Sequence, residues 1–309
     1  MSTFVNGSHR SDISGYFEWW YFHFVADNGF AANLILHETD IFGLRKIPYV
    51  SMAVQFLDSQ PKYYRKDMDQ VVIGRNFYYL KVSDRSFFET EKGITISLNF
   101  TSGEIFKVEI EKLSQPLILN DGILYEDSLT QRQSLWVVDV PFGKFKALFE
   151  ANGIKHILKG SVYHDHQWGN IPIQDFVSDW IWGSFGNKEE TIIYFVINTQ
   201  YGSQIQRFAK VSPSRVEGFV KYGNASYVET LSRMDMPETY EGYPMVLFPD
   251  KTRLSVRILR ANLMRSRVNE KHDNFGATYL RWAAIAKYYD GFLHTLPGIT
   301  EYVRIRKDR

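Results

Sequence analysis

The sequence predicts an all-β protein built as two antiparallel β-barrel-like halves packed together, and three observations carry that prediction. Short runs of alternating apolar and polar residues recur along the whole of the 309 residues, with turn residues between them. Aromatic residues make up 16% of the chain, a high share that favours β-structure and a roomy apolar interior. Convincing long amphipathic helices are few. The strands are too many for one small barrel, so two domains are expected, 1–170 and 171–309, with the boundary just after Gly169 and no low-complexity linker.

Taken in order, the first strand is the aromatic run Gly15–Phe24, followed by the hairpin signal Asp27-Asn28-Gly29 and a partner strand Ala31–Glu38. Tyr49–Leu57 and Asn76–Val82 read as strands. Gly93–Phe100 and Ile105–Ile110 flank Thr101-Ser102-Gly103-Glu104 as an antiparallel hairpin. Leu135–Val140 and Lys144–Phe149 are expected as two strands, and the strand from Ile154 runs into the histidine-bearing stretch at mid-chain. In the second half, Ser178–Phe185 and Glu190–Ile197 are joined by Gly186–Glu189, and Gln206–Val211 follows. Pro213 and Gly218 bracket an expected turn. Arg253–Arg260, Thr278–Tyr289 and Thr300–Ile305 complete the set. No tandem repeat is evident.

Composition narrows the function. A net charge of +1 does not advertise nucleic acid, and the basic tail after Val303 reads as a solvated terminus. With no cysteine there is no disulfide framework, thiol nucleophile or thiolate metal site. The first ten residues lack the apolar core of a signal peptide, and no apolar run approaches the length of an integral membrane span. A cytoplasmic protein is expected, touching membranes only through a lipid-like substrate, with homodimerisation left open.

Two stretches carry the candidate chemistry. Tyr163-His164-Asp165-His166-Gln167-Trp168-Gly169 ends a strand, so Tyr163, Asp165 and Gln167 face one way and His164, His166 and Trp168 the other. Near the N-terminus, Glu18 shares a strand face with Tyr16, Trp20, Phe22 and Phe24, where a carboxylate must be hydrogen-bonded or protonated to be buried. Acid–base chemistry with Asp165 or His166 as proton donor is one reading. A strand end in which Asp165 caps backbone amides is the plainer one. A metal held by His164 and His166, with Glu18 or His23 as third ligand, is the weakest, because the chain offers no second histidine pair; no metal is expected. Trp19, Trp20, Trp168, Trp180 and Trp182 are singly core residues and together suggest a pocket for a hydrophobic molecule, with rings able to stabilise a carbocation. No nucleophile elbow, phosphate loop or dinucleotide fingerprint is present, and no cofactor is expected. Gly183-Ser184-Phe185-Gly186 lacks the spacing of a hydrolase elbow.

Glu18-Trp19-Trp20-Tyr21, followed by Asp165-His166-Gln167-Trp168-Gly169, resembles the paired E-W-W-Y and D-H-x-W-G signatures of the carotenoid 1,2-hydratase/AttH-like superfamily. Tyr288-Tyr289-Asp290-Gly291 resembles its C-terminal Y-Y-E-G segment. The resemblance implies two lipocalin-like β-barrels. It also implies relatives that hydrate carotenoid double bonds, cyclise terpenoid chains or act as Diels–Alderases on polyenes. In the carotenoid hydratases an H-x-W pair acts with a downstream Tyr and Asp. His166 and Trp168 match the pair and Tyr194 matches the Tyr, but Val196 stands where the Asp is expected, a departure from strict carotenoid hydration.

The leading expectation is an enzyme that protonates a lipophilic polyene or terpenoid. Asp165 or His166 donates the proton and Glu18 orients or recharges the donor. Trp168, Trp20 and Tyr194 face the cation, and Trp19, His164, Trp180 and Trp182 line the substrate. A pericyclase that folds a polyene without a proton donor comes second, and a non-catalytic carrier of a lipophilic ligand third.

Overall fold

The computed structural model describes residues 7–9, 11–39, 48–56, 59, 61–67, 72–73, 79–82, 85–90, 93–224, 240–241, 246–247, 253–272 and 275–307. The chain forms two compact units: Met1–Leu57, Lys62–Ile173 and Ser212–Val216 in the first, Asp58–Pro61, Gln174–Val211 and Glu217–Arg309 in the second. Each is organised by one curled antiparallel sheet, as expected for a lipocalin-like barrel.

The first unit holds β1 (Phe17–Ala26), β2 (Ala31–His37), β3 (Tyr49–Gln55), β4 (Lys62–Asp67), β5 (Val72–Ile73), β6 (Tyr79–Val82), β7 (Arg85–Glu89), β8 (Gly93–Asn99), β9 (Ile105–Lys112), β10 (Ile123–Asp127), β11 (Arg132–Ala151) and β12 (Ile154–Gly169). Their order across the sheet is β4-β3-β2-β1-β12-β11-β9-β8-β7-β6-β5, with β10 beside β11. Neighbouring hairpins explain most of this order. The exception is the β1–β12 pair, which joins the two ends of the unit and sets Glu18 opposite Trp168, Trp20 opposite His166 and Phe22 opposite His164. The turn between β11 and β12 is Asn152-Gly153, both at positive φ, the signature of a two-residue hairpin.

The core of this unit is the inner face of the curl. Trp20, Phe22 and Phe24 of β1 pack with Leu34 and Leu36, Phe87, Ile96, Phe106, Phe145 and Val162. Both faces of β1 are nonetheless buried, as are both faces of β12 from Val162 to Gln167. That double burial explains why β1 reads as an almost unbroken aromatic run instead of alternating with polar residues.

The second unit holds β13 (Val177–Gly186), β14 (Thr191–Thr199), β15 (Ser203–Ser212), β16 (Arg215–Asn224), β17 (Tyr240–Glu241), β18 (Val246–Leu247), β19 (Arg253–His272), β20 (Phe275–Tyr289) and β21 (Leu293–Lys307). A four-residue helix, α1 (Ile173–Phe176), precedes β13. The order is β16-β15-β14-β13-β21-β20-β19-β17, with β18 beside β19, and Ile181, Phe185, Tyr194, Val196, Leu280, Trp282 and Leu296 form its core.

Some expected elements differ. Leu135–Val140 and Lys144–Phe149 are one continuous β11, because Pro141 falls where the register against β12 slips and no ladder N–H is needed from it. The expected turn from Pro213 to Gly218 shrinks to Pro213-Ser214, and β16 starts at Arg215. The strand at Arg253 runs on to His272, and the last strand begins at Leu293. Leu57 and Asn76, Phe77 and Tyr78 lie outside the described residues. No helix among the described residues is long and apolar enough to cross a membrane.

Candidate active site in the first unit

The β1–β12 pairing brings Glu18 and His166 together from opposite ends of the unit. His166 Nε2 lies 2.9 Å from Glu18 Oε1, and both side chains are wholly buried. Three donors converge on the same carboxyl group. The His9 backbone N–H donates to Oε1 at 2.8 Å, Ser8 Oγ donates to Oε2 at 3.1 Å, and the Tyr16 hydroxyl donates to Oε2. Tyr16 reaches it because it shares the strand face of Glu18 two residues away.

Rings enclose this group. The His166 imidazole stacks on Trp20 at 4.5 Å, and the Trp168 ring lies 4.6 Å from it, tilted by 34°. His9 stacks on Trp168 at 4.2 Å, nearly parallel, and sits 5.5 Å from His166. His9 and Trp168 are the half-buried members, so their stack forms the rim.

Burial sets the protonation states. It drives Glu18 up from the ordinary carboxylate value to about 7, against the hydrogen bonds from Tyr16 and His9 that pull it down. Burial, reinforced by the Glu18 charge, also raises Tyr16, which therefore stays a donor. Burial holds His166 well below the usual imidazole range. The pair at neutral pH thus shares one proton between a carboxyl and a neutral imidazole and is not an ion pair of full charges. His9, Glu18 and His166 offer ligand atoms within 4.8 Å of one another, close enough for a small cation. Three donors are already aimed at the Glu18 oxygens, and a cation there would have to displace them.

The expected site residues divide. Glu18, His166, Trp20 and Trp168 come together. His164 shares their face but is held apart, its Nδ1 2.9 Å from the Tyr21 carbonyl and its ring stacked on Phe22 at 3.9 Å; burial lowers it to about 3, so it is neutral. Asp165 points to the opposite face of β12, where it accepts a hydrogen bond from Tyr163 Oη at 2.7 Å. Trp19 also turns to that opposite face, its ring 5.1 Å from Phe17. His23 is there too, stacked on Tyr163 at 5.2 Å, so it cannot join an HxH metal set with His164 and His166.

Tyr194, Trp180 and Trp182 belong to the second unit. Tyr194 lies in that unit's core with Oη 2.7 Å from Thr300 Oγ1. Trp182 pairs with Phe195, so it faces away from Tyr194. Trp180 Nε1 donates to Glu301, which also takes Tyr279 Oη and Arg281 Nη2 at 2.6 Å. In the Tyr288–Gly291 segment, Tyr288 donates to Glu190 and stacks on His294, which bonds Asp290.

Ser8 and His9 were not expected in the site. No spacing rule connects them to His166, and only the chain's path across β1 does. Gly169, the last residue of the D-H-x-W-G stretch, has a local reason to be glycine. A Cβ there would press on the Gln133 carbonyl and lie 2.9 Å from Ser134 Cα.

No protein-family model matches the chain, and neither does any curated protein. Solved structures do. NE1406 of Nitrosomonas europaea, described as AttH, aligns over 93% of this chain and 92% of its own at TM-score 0.55 and 12% identity. This chain has that fold. CghA in complex with Sch210972 aligns over 95% and 89% at TM-score 0.63 and 9% identity. Kievitone hydratase from Nectria haematococca aligns over 97% and 96% at 0.58 and 11%. The three thus share their fold with this chain. Identities this low speak for fold, and the chemistry has to be argued from the residues.

Proposed function

We propose that this protein is an enzyme of the hydratase or cyclase type that protonates an alkene of a lipophilic polyene or terpenoid. The observation that carries the reading is the Glu18–His166 pair, wholly buried, sharing a proton near neutral pH and enclosed by Trp20 and Trp168. The proton held by the pair goes to an alkene carbon, a C–H bond forms from the π electrons, and a carbocation is left beside the indole faces. In a hydratase, water adds to that cation and its surplus proton returns to Glu18, for a net addition of water. In a cyclase, an internal alkene attacks, and loss of a proton to the same carboxylate gives an isomer of the substrate. The His9–Trp168 stack restricts bulk water, which favours whichever nucleophile is bound. Tyr16 and Ser8 hold the carboxylate in place through the cycle. His164, on the strand face of His166, remains a candidate for lining the substrate in the first unit.

Kievitone hydratase, by its name, adds water to a substrate, which is in keeping with this reading. The three hydrogen bonds that hold Glu18 also suit a second reading, a pericyclase in which the carboxyl group only orients a polyene and transfers no proton. The deciding experiment takes the compound that copurifies with the protein, identified by mass spectrometry, and incubates it in D2O with wild type and His166→Ala. Deuterium bound to product carbon, absent with the variant, is expected. Product formed without deuterium leaves the pericyclase, and ligand recovered unchanged leaves a carrier. The same reading keeps the protein in the cytoplasm, meeting membranes through its substrate; dimerisation is open to light scattering.

A further inference from the structure

A second set of charges in the first unit is turned toward the same interior. Lys112 ends β9, in phase with core-facing Phe106, Val108 and Ile110. Glu89 ends β7, two residues after core-facing Phe87. Asp139 is the extra residue where β11 slips register against β12 between Val138 and Val140. Lys112 Nζ bonds Glu89 Oε1 and lies 2.7 Å from Asp139 Oδ2, with side-chain exposures of 12%, 9% and 5% for Lys112, Glu89 and Asp139. Bulges of this kind re-aim a side chain and recur beside active sites.

The charge count defines what this group can hold. Burial works to discharge Lys112, but Asp139 and Glu89 outweigh it and keep the ammonium charged. An ammonium has three N–H donors. Glu89 Oε1 takes one, and Asp139 Oδ2 at 2.7 Å can take at most one more, which leaves a third for another oxygen. Lys112 and Glu89 stand on the strand faces that carry Phe106, Val108, Ile110 and Phe87, so the group looks into the core that holds Phe22, on which His164 stacks. Two carboxylates beside one ammonium repel an anion, whereas a neutral oxygen can accept the remaining N–H.

We propose that Lys112 donates to a neutral oxygen of the ligand, so that this barrel takes an oxygenated polyene or terpenoid, an alcohol or ketone, and discriminates against both the bare hydrocarbon and the carboxylate. The proposal rests on the reading that the first unit binds a polyene, and its test separates the two. Tryptophan quenching is titrated with retinol, anhydroretinol (the corresponding hydrocarbon) and retinoate. A hydrogen bond from a charged donor gives retinol an advantage of about tenfold or more over each. In the variant Glu89→Gln/Lys112→Met/Asp139→Asn, which leaves no buried charge unpaired, that advantage over anhydroretinol should vanish while anhydroretinol still binds.

Equal binding of retinol and anhydroretinol by wild type overturns the proposal and leaves the barrel reading standing; the group is then a structural ion pair. Retention of the retinol preference in the triple variant overturns it as well. Failure of all three probes to bind overturns both. Should the triple variant not fold, the wild-type series decides alone, retinol selectivity supporting the proposal.

Discussion

Replacing Glu18 by Gln tests the protonation state on which the site depends. The folded protein holds Glu18 at about 7, against an ordinary value of 4.5. Between those two pH values the folded chain keeps a proton that the unfolded chain has lost. Stability therefore falls as pH rises through this window and levels off above it. The shift corresponds to about 3 kcal/mol in total, at 1.36 kcal/mol per pH unit. Gln cannot ionise and pays no such penalty, though its amide faces the His9 N–H or the Tyr16 hydroxyl less well, a misfit of about 1–2 kcal/mol at every pH. Relative to Glu18→Gln, wild type should thus lose about 3 kcal/mol between pH 4 and pH 8. Urea unfolding of both proteins across that range measures the difference. His166 drops out of the difference, because burial lowers its imidazole in both proteins and the resulting pH dependence is common to them. A pH-independent difference would refute the raised carboxyl. A wild type that gains on the variant with rising pH would instead establish a conventional Glu18–His166 ion pair.

Three other consequences are accessible. Glu18→Gln or His166→Ala should lower turnover by about a hundredfold or more, and Asp165→Asn by less than about tenfold, because Asp165 lies on the other face of β12; initial rates on the copurifying compound compare them. Lys112→Met alone leaves Glu89 and Asp139 buried as like charges and should cost about 3–5 kcal/mol in chemical denaturation. Gly169→Ala forces a Cβ against the β11 backbone at Gln133 and Ser134 and should lower stability by about 1–3 kcal/mol, read as a drop in Tm.

Much of the candidate site could be read from residue types alone. An acid in an aromatic strand and a histidine at a strand end are both expensive to bury unless something answers them, so Glu18 and His166 stood out before any fold was known. Strand periodicity also separated His166 from Asp165 by face. It could not choose between them as donor, because that depends on which face meets Glu18. His9 was illegible because its role comes from a backbone N–H and a ring stack, neither of which depends on a sequence pattern. Tyr194 was assigned by a motif match, whereas its hydroxyl meets Thr300 in the second unit's core. The continuity of β11 was missed for a related reason: Pro141 looks like a break unless the partner strand shows that the register slips there.

By itself the sequence determined the all-β class, the hairpin neighbours and the faces of individual strands, because these follow from local turn chemistry and a period of two. Only the tertiary structure decided that β1 lies against β12, that Glu18 therefore meets His166 across 148 positions of chain, and that burial leaves one proton between them. Pairing between strands so far apart is set by closure of the whole sheet, and a carboxyl's affinity for its proton by everything packed around it.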